Sequence, residues 1–212
     1  MKNLNSLLTL PLAYLLGSIP TAVWVAKAWK KIDIREHGSK NAGLTNVFRV
    51  LGWKPALPVV FVDLAKGFLA PFLAAQLDGG VHPWLPFVAG LLAIIGHSFT
   101  CFAGFRGGKG VLTAMGVFLA LHPVLALTCF SFWVVLTVST KYVSVGSIGA
   151  CTLLPILATL GFVSSLPFPG EVNAGVLALS WLVGLFVVIK HKANMVRLWN
   201  GTENGFGSKR KK

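Results

Sequence analysis

Apolar residues run through the chain in seven blocks, near 7–29, 55–77, 84–97, 111–121, 124–140, 144–163 and 172–189, separated by more polar connections. A helix that crosses a bilayer needs about 20 mostly apolar residues. The pattern therefore predicts an all-α integral membrane protein with about seven transmembrane helices. The third and fourth blocks are short, and the charged stretch between them predicts a loop that dips into the bundle rather than crossing it.

Basic residues orient the spans. All but Lys2 and Lys66 of the 19 Lys and Arg residues lie in four segments: from Lys27 to Lys54, at Arg106 and Lys109, at Lys141, and from Lys190 onward. These follow the first, third, fifth and seventh blocks, whereas the connections at 78–83, 121–123 and 164–171 hold no Lys or Arg. Basic residues stay on the cytoplasmic side, which puts the N-terminus outside and the C-terminus in the cytosol.

Composition narrows the class. With 55% hydrophobic and 12% charged residues and a mean hydropathy of +0.74, a soluble domain is excluded. The net charge of +13 gathers on one face, suited to membrane lipids with anionic headgroups or to phosphorylated solutes. A soluble nucleic-acid binder of equal basicity would lack the spans, so no nucleic-acid partner is expected. The first block is too long for a cleaved signal peptide. Cys101, Cys129 and Cys151 have neither metal nor disulfide spacing and read as packing residues. Residues 206–212 read as a basic, disordered tail whose charge can touch anionic lipid.

Polar groups at the inner ends of spans are costly unless something uses them. Residues 38–49 read Gly-Ser-Lys-Asn-Ala-Gly-Leu-Thr-Asn-Val-Phe-Arg. Gly38 and Gly43 let backbone N–H groups turn inward around an anion. Ser39, Asn41, Thr45 and Asn46 add neutral donors, and Arg49 adds a charge with bidentate geometry. The segment reads as a phosphate cradle, although a Gly/Asn turn with a capping Thr and a snorkelling Arg would use the same residues.

A second cluster, Gly104-Phe105-Arg106-Gly107-Gly108-Lys109-Gly110, follows Gly96-His97-Ser98. It has glycines beside a Lys but not the spacing or strand-to-helix context of a nucleotide-binding loop, so it does not point to ATP. A helix starting near Val111 would aim its positive end at whatever Lys109 holds; simple interfacial anchoring of Arg106 and Lys109 is the other reading. His191 and Asn194, three apart beyond the last block, share one face of a helical extension, as ligands or as headgroup-level anchors. Asp63 and Lys66, three apart inside the second block, read as a structural ion pair. Tyr142, Ser144 and Ser147 open the sixth block as caps or as ligands.

Taken in order, these pieces resemble one family: the bacterial acyl-phosphate:glycerol-3-phosphate acyltransferases, the PlsY family. The resemblance runs from Tyr14-Leu15-Leu16-Gly17-Ser18-Ile19-Pro20 through the 38–49 loop, Asp63 with Lys66-Gly67, Gly96-His97, the 104–110 glycines, and Tyr142-Val143-Ser144 to His191 and Asn194. It implies a single transmembrane acyltransferase domain over 1–205 in a bacterial plasma (inner) membrane, with the active site facing the cytosol. It also implies transfer of a fatty acyl group from acyl phosphate to the 1-hydroxyl of glycerol 3-phosphate, giving lysophosphatidate and phosphate without a covalent acyl-enzyme. No metal and no cofactor is implied.

The resemblance assigns the acyl phosphate to Gly38, Ser39, Asn41, Gly43, Thr45 and Asn46. It assigns glycerol 3-phosphate to Arg49, Lys109, Ser144, His191 and Asn194, with Arg49, Lys109, His191 and Asn194 as the catalytic set. Asp63, Lys66, His97, Gly107 and Gly108 support them, and there is room for functional coupling to the enzyme that makes acyl phosphate. Departures from the family pattern are Lys40 for a small residue, Leu44 for Ala, Thr100 for Pro and Ala193 for Glu; none removes a presumed ligand. The chain has no His-x4-Asp pair and no G-x-S-x-G elbow. The rival reading, a transporter or channel for a phosphorylated anion, would call for an inverted repeat and matched broken spans, and neither is visible.

Overall fold

The first apolar block is not one rod. Helix α1 (Thr9–Gly17) and helix α2 (Thr21–Lys30) are separated at Ser18-Ile19-Pro20, because Pro20 has no N–H to give and crowds residue 19 out of the helical region. A computed structural model of the chain describes residues 7–164 and 170–205. The basic tail expected over 206–212, and part of the connection at 164–171, lie outside the described residues.

The chain forms two compact units that divide between Pro123 and Val124. In the first, the basic connection after α2 contains a short 3₁₀ turn (Ile34–Glu36) and an amphipathic helix, α3 (Leu44–Leu51), that block reading did not foresee. Next come α4 (Trp53–Asp78), α5 (Leu85–Ser98), a 3₁₀ turn (Cys101–Ala103) and α6 (Val111–Leu121). Helix α4 packs along α6, and α1 along α5. A Cβ at Gly67 would fall on the Thr113 carbonyl, one at Gly116 on that of Leu64, and one at Gly17 on that of Ala93. Glycine at these crossings lets backbones approach more closely than any side chain would allow. Alanines fill the same seams: Ala13, Ala70, Ala74, Ala89 and Ala93 form one buried cluster with Leu85.

The second unit carries α7 (Pro123–Thr140), α8 (Val143–Val163), α9 (Ala174–Lys190) and α10 (Lys192–Trp199). Helix α8 packs on α9, where a Cβ at Gly184 would meet the Cys151 carbonyl. Large apolar side chains such as Phe61, Leu77, Val138 and Leu185 point outward and exposed, as a lipid-facing surface requires.

Among the described residues, five spans are long and apolar enough to cross a membrane: Thr9–Lys30, Trp53–Asp78, Leu85–Ala103, Pro123–Thr140 and Val143–Val163. A sixth is reached if α9 and α10, bent by 53° at His191, count as one. Helix α6, at 11 residues, is only about 16 Å long, well short of the roughly 30 Å hydrocarbon core. All seven apolar blocks are therefore helical, and the crossing criterion is met by five or six of them.

Candidate functional site

The 38–46 loop is organised by one buried amide. Asn46 donates through Nδ2 to the carbonyls of Ile34 (3.0 Å), His37 (2.9 Å) and Asn41 (3.0 Å), and its Oδ1 accepts from the Ser39 N–H (2.8 Å). With these bonds Asn46 ties three turns of chain into one loop rather than presenting a free amide to a ligand. Gly38 has a left-handed φ of +60°, and a Cβ there would collide with Asn46 Oδ1, so glycine is needed for both reasons. Gly43 is different: its φ of −147° is ordinary extended backbone, and it caps α3 without any side chain on the helix N–H groups. Those N–H groups carry the positive end of the helix dipole. Ser39, Asn41 and Thr45 line the same loop half-buried, and Arg49 lies exposed in the last turn of α3. Beneath the loop, Ala22, Val23, Ala26, Ile34, Ala42, Val47, Ala56 and Val59 form an apolar floor. Lys40 also holds a left-handed φ, +61°.

The glycine loop of Lys109 is braced from below. Gly107 N–H donates to the Ser98 carbonyl (3.1 Å) and Gly108 N–H to that of His97 (3.1 Å), so the loop folds back on the end of α5. A Cβ at Gly108 would strike the His97 ring and the Ala42 carbonyl, so the Lys109 loop lies directly against the cradle loop. Behind His97 is the ion pair expected from sequence: Lys66 Nζ is 2.8 Å from Asp63 Oδ1, both side chains almost wholly buried. His97 Nδ1 is 3.7 Å from the same oxygen, and the Thr21 hydroxyl donates to it at 3.1 Å. Lys66 also donates to the Ile19 carbonyl (2.8 Å), and Thr100 to that of Ser18. Two carbonyls freed by the Pro20 break are thereby satisfied. A Pro at position 100 would have no side-chain donor for this bond.

In the second unit, His191 is the hinge between α9 and α10 and Asn194 lies on α10; both are buried. His191 Nδ1 is 2.8 Å from the Val187 carbonyl, so in the neutral ring Nδ1 carries the proton and Nε2 is the acceptor nitrogen. Ser144 opens α8 with a buried hydroxyl, whereas Ser147 donates to the Val143 carbonyl and accepts from Trp133 Nε1.

Glu203 went unnoticed in the sequence. Its carboxylate accepts from Asn194 Nδ2 (2.6 Å) and Arg197 Nε (2.7 Å). Burial pushes this carboxyl up, but Asn194, Arg197 and the nearby Ser144 hydroxyl outweigh it and hold the group below the usual Glu range. The signal was weak, since a lone Glu beyond a Gly-Thr turn looks like any solvated acid; its burial comes from the tertiary fold. Cys101, Cys129 and Cys151 are free thiols.

Comparison with known proteins bears on the whole chain. Residues 7–201 match a family model described as Glycerol-3-phosphate acyltransferase. A protein of that name from Fusobacterium nucleatum is 42% identical over 195 residues, covering 92% of this chain and 95% of the relative. One from Shouchella clausii is 44% identical, covering 95% and 96%. Among solved structures, PlsY, described as an integral membrane glycerol 3-phosphate acyltransferase, matches in its glycerol 3-phosphate form with a TM-score of 0.85 at 36% identity, covering 96% of both chains. Its lysophosphatidic acid form matches with a TM-score of 0.82.

Proposed function

The chain belongs to the glycerol-3-phosphate acyltransferase family, and from that premise we propose that it acylates the 1-hydroxyl of glycerol 3-phosphate with acyl phosphate as donor. In this reading the donor phosphate sits on the loop from Gly38 to Asn46, and Arg49, Lys109, Ser144, His191 and Asn194 serve glycerol 3-phosphate. The supporting observation is the glycine-turned loop, closed by Asn46 and opening on a helix N-terminus that no side chain caps, with the Lys109 loop packed against it.

Acyl phosphate is a mixed anhydride, so the protein needs mainly to orient reactants and balance charge; good orientation lowers the barrier by about 7 to 11 kcal/mol. The hydroxyl oxygen bonds to the acyl carbon, the bond from that carbon to the phosphate oxygen breaks, and the hydroxyl proton passes to the departing phosphate. The products are lysophosphatidate and inorganic phosphate, and no acyl-enzyme forms. In the same proposal α6 completes a seven-helix, single-domain arrangement in the plasma membrane, with the N-terminus outside and Lys40, Lys109 and Lys192 in the cytosol. Functional coupling to the enzyme that makes acyl phosphate follows from the lability of that donor.

The test is turnover by purified protein in detergent. Acyl phosphate with glycerol 3-phosphate should yield lysophosphatidate with no second compartment, and palmitoyl-CoA should not replace the donor. Equal rates with palmitoyl-CoA, in a preparation free of phosphotransacylase, would overturn the donor assignment. Absence of turnover with either donor would reopen transport.

A further inference from the structure

Arg35 lies outside every motif the mechanism uses, yet it joins the two loops that do. Its backbone N–H and Nε reach Asp33 Oδ1 at 2.9 and 3.0 Å, and Nη2 reaches Asp33 Oδ2 at 2.7 Å, so the guanidinium is held in a fixed plane by the carboxylate. From that plane Nη1 donates across 68 residues of chain to the Ala103 carbonyl (2.6 Å) and, more weakly, to the Arg106 carbonyl (3.3 Å). Those two carbonyls flank Gly104 and Phe105, which have left-handed φ values of +64° and +58°. For a bulky residue such as Phe105 that conformation persists only where its surroundings hold it. Three residues after Arg106 comes Lys109.

On the other side, the carbonyls of Ile34 and His37, which flank Arg35, are the ones gripped by Asn46. Arg35 is therefore tied to the cradle loop through the backbone and to the Lys109 loop through its side chain. The hydrogen bonds from Arg35 hold the Asp33 carboxyl below the ordinary carboxylate range, and Arg106 adds to the field on that carboxylate, so the clamp stays charged at neutral pH.

We propose that Arg35 is a positioning residue that acts through Lys109, locking the Gly104-Phe105 turn so that the Lys109 ammonium is delivered at a fixed place beside the cradle loop. The identity of the substrate affected rests on the assignment of Lys109 to glycerol 3-phosphate. Arg35 itself touches no substrate in this scheme. Lysine cannot substitute fully, because a point charge cannot grip a carboxylate and two carbonyls from one plane.

A double-mutant cycle with initial rates over both substrate concentrations tests this. Arg35→Ala should lower kcat/KM by about 10- to 100-fold, the scale of a misplaced group, mainly through KM, and in the same substrate's KM that Lys109→Ala raises. Arg35→Lys should recover part of the loss, and Asp33→Asn, which frees the guanidinium, should reproduce it in weaker form. In the Lys109→Ala background the Arg35 change should cost less than about 2-fold, because the group it positions is gone.

Additive losses in the cycle, or an Arg35→Ala enzyme whose KM values match the parent's, would overturn the proposal. So would a loss in which every parameter falls in proportion to folded protein as read by Tm. If both variants instead raise the KM for acyl phosphate, the positioning role stands and the assignment of Lys109 to glycerol 3-phosphate falls.

Discussion

In the first unit, most of the groups assigned to phosphate binding are presented by loops, Thr45 and Arg49 on α3 being the exceptions, and buried side chains serve to hold those loops: Asn46 grips three carbonyls, and Asp63, Lys66 and His97 lie under the glycine turn. In the second, the assigned groups are themselves side chains on helices, His191 at a 53° bend and Asn194 one turn on, with Glu203 as their neighbour. Loops can wrap a phosphate with many N–H donors but need a floor to stay in place. Helices hold single side chains without such support, though they offer fewer donors. Changes to the bracing residues of the first unit should therefore act through its fold, and changes in the second through particular contacts.

The largest effect should come from the floor. Asp63→Asn leaves Lys66 charged in a buried setting, and removing one partner of such a pair costs about 3–5 kcal/mol. For a chain of this size that lowers Tm by roughly 10 °C. Thermal unfolding in detergent reads it, and a Tm within a degree or two of the parent's would show that the pair does not carry the loops.

Next come Arg49 and Lys109, the charges proposed to face substrate. Arg49→Ala or Lys109→Ala leaves a phosphate dianion without a partner, a loss of about 2–4 kcal/mol and hence roughly 30- to 1000-fold in kcat/KM. Arg49 is exposed, so Tm should hardly move. Steady-state kinetics on folded protein checks both parts, and a matching fall in Tm would return these residues to the structural class.

Glu203→Gln probes the second unit more gently. The amide can still accept from Asn194 but loses the charge that holds Arg197, a change of about 1–2 kcal/mol, or about 5- to 30-fold in kcat/KM. Because the Glu203 carboxyl is held below its ordinary range, its contribution is complete at pH values above that range and is lost as acid brings the pH down through the lowered value. The parent enzyme should then show an acid limb that is absent from the Gln variant, and identical acid limbs in the two would exclude Glu203 from the site.

The sequence exposed the helical blocks because the length of an apolar run is a local property that a membrane span must satisfy. It also exposed Asp63 with Lys66, since an isolated charge within an apolar block has few ways to persist. Four features stayed hidden for related reasons. The break at Pro20 looked continuous because its flanks are apolar, and the residues that satisfy it, Lys66 and Thr100, are distant in the chain. Asn46 reads as a donor in a donor-rich motif, whereas its partners are set by the folding of the loop. Glu203 and Arg35 look like ordinary surface charges until their partners at Asn194 and Ala103 are known. Residue types pointed to candidate positions for phosphate chemistry; which of them brace the loops became visible only in the geometry.

The smallest effect should be at His191, and it separates two mechanisms. If the imidazole were the general base, its loss would be the most damaging of all, and kcat/KM would show a limb near the ordinary His pKa of about 6.5 that disappears in the variant. The proposed scheme gives it a positioning role: Nδ1 is engaged by the Val187 carbonyl, which fixes the ring, and the departing phosphate takes the hydroxyl proton itself. A glutamine offers an acceptor oxygen at a similar reach. His191→Gln should then lose only about 2- to 10-fold in kcat/KM, less than Arg49→Ala or Lys109→Ala, with no pH limb removed. A His191→Gln enzyme deader than Arg49→Ala would move the proton to the histidine and end the substrate-assisted scheme, while leaving the acyltransferase assignment intact.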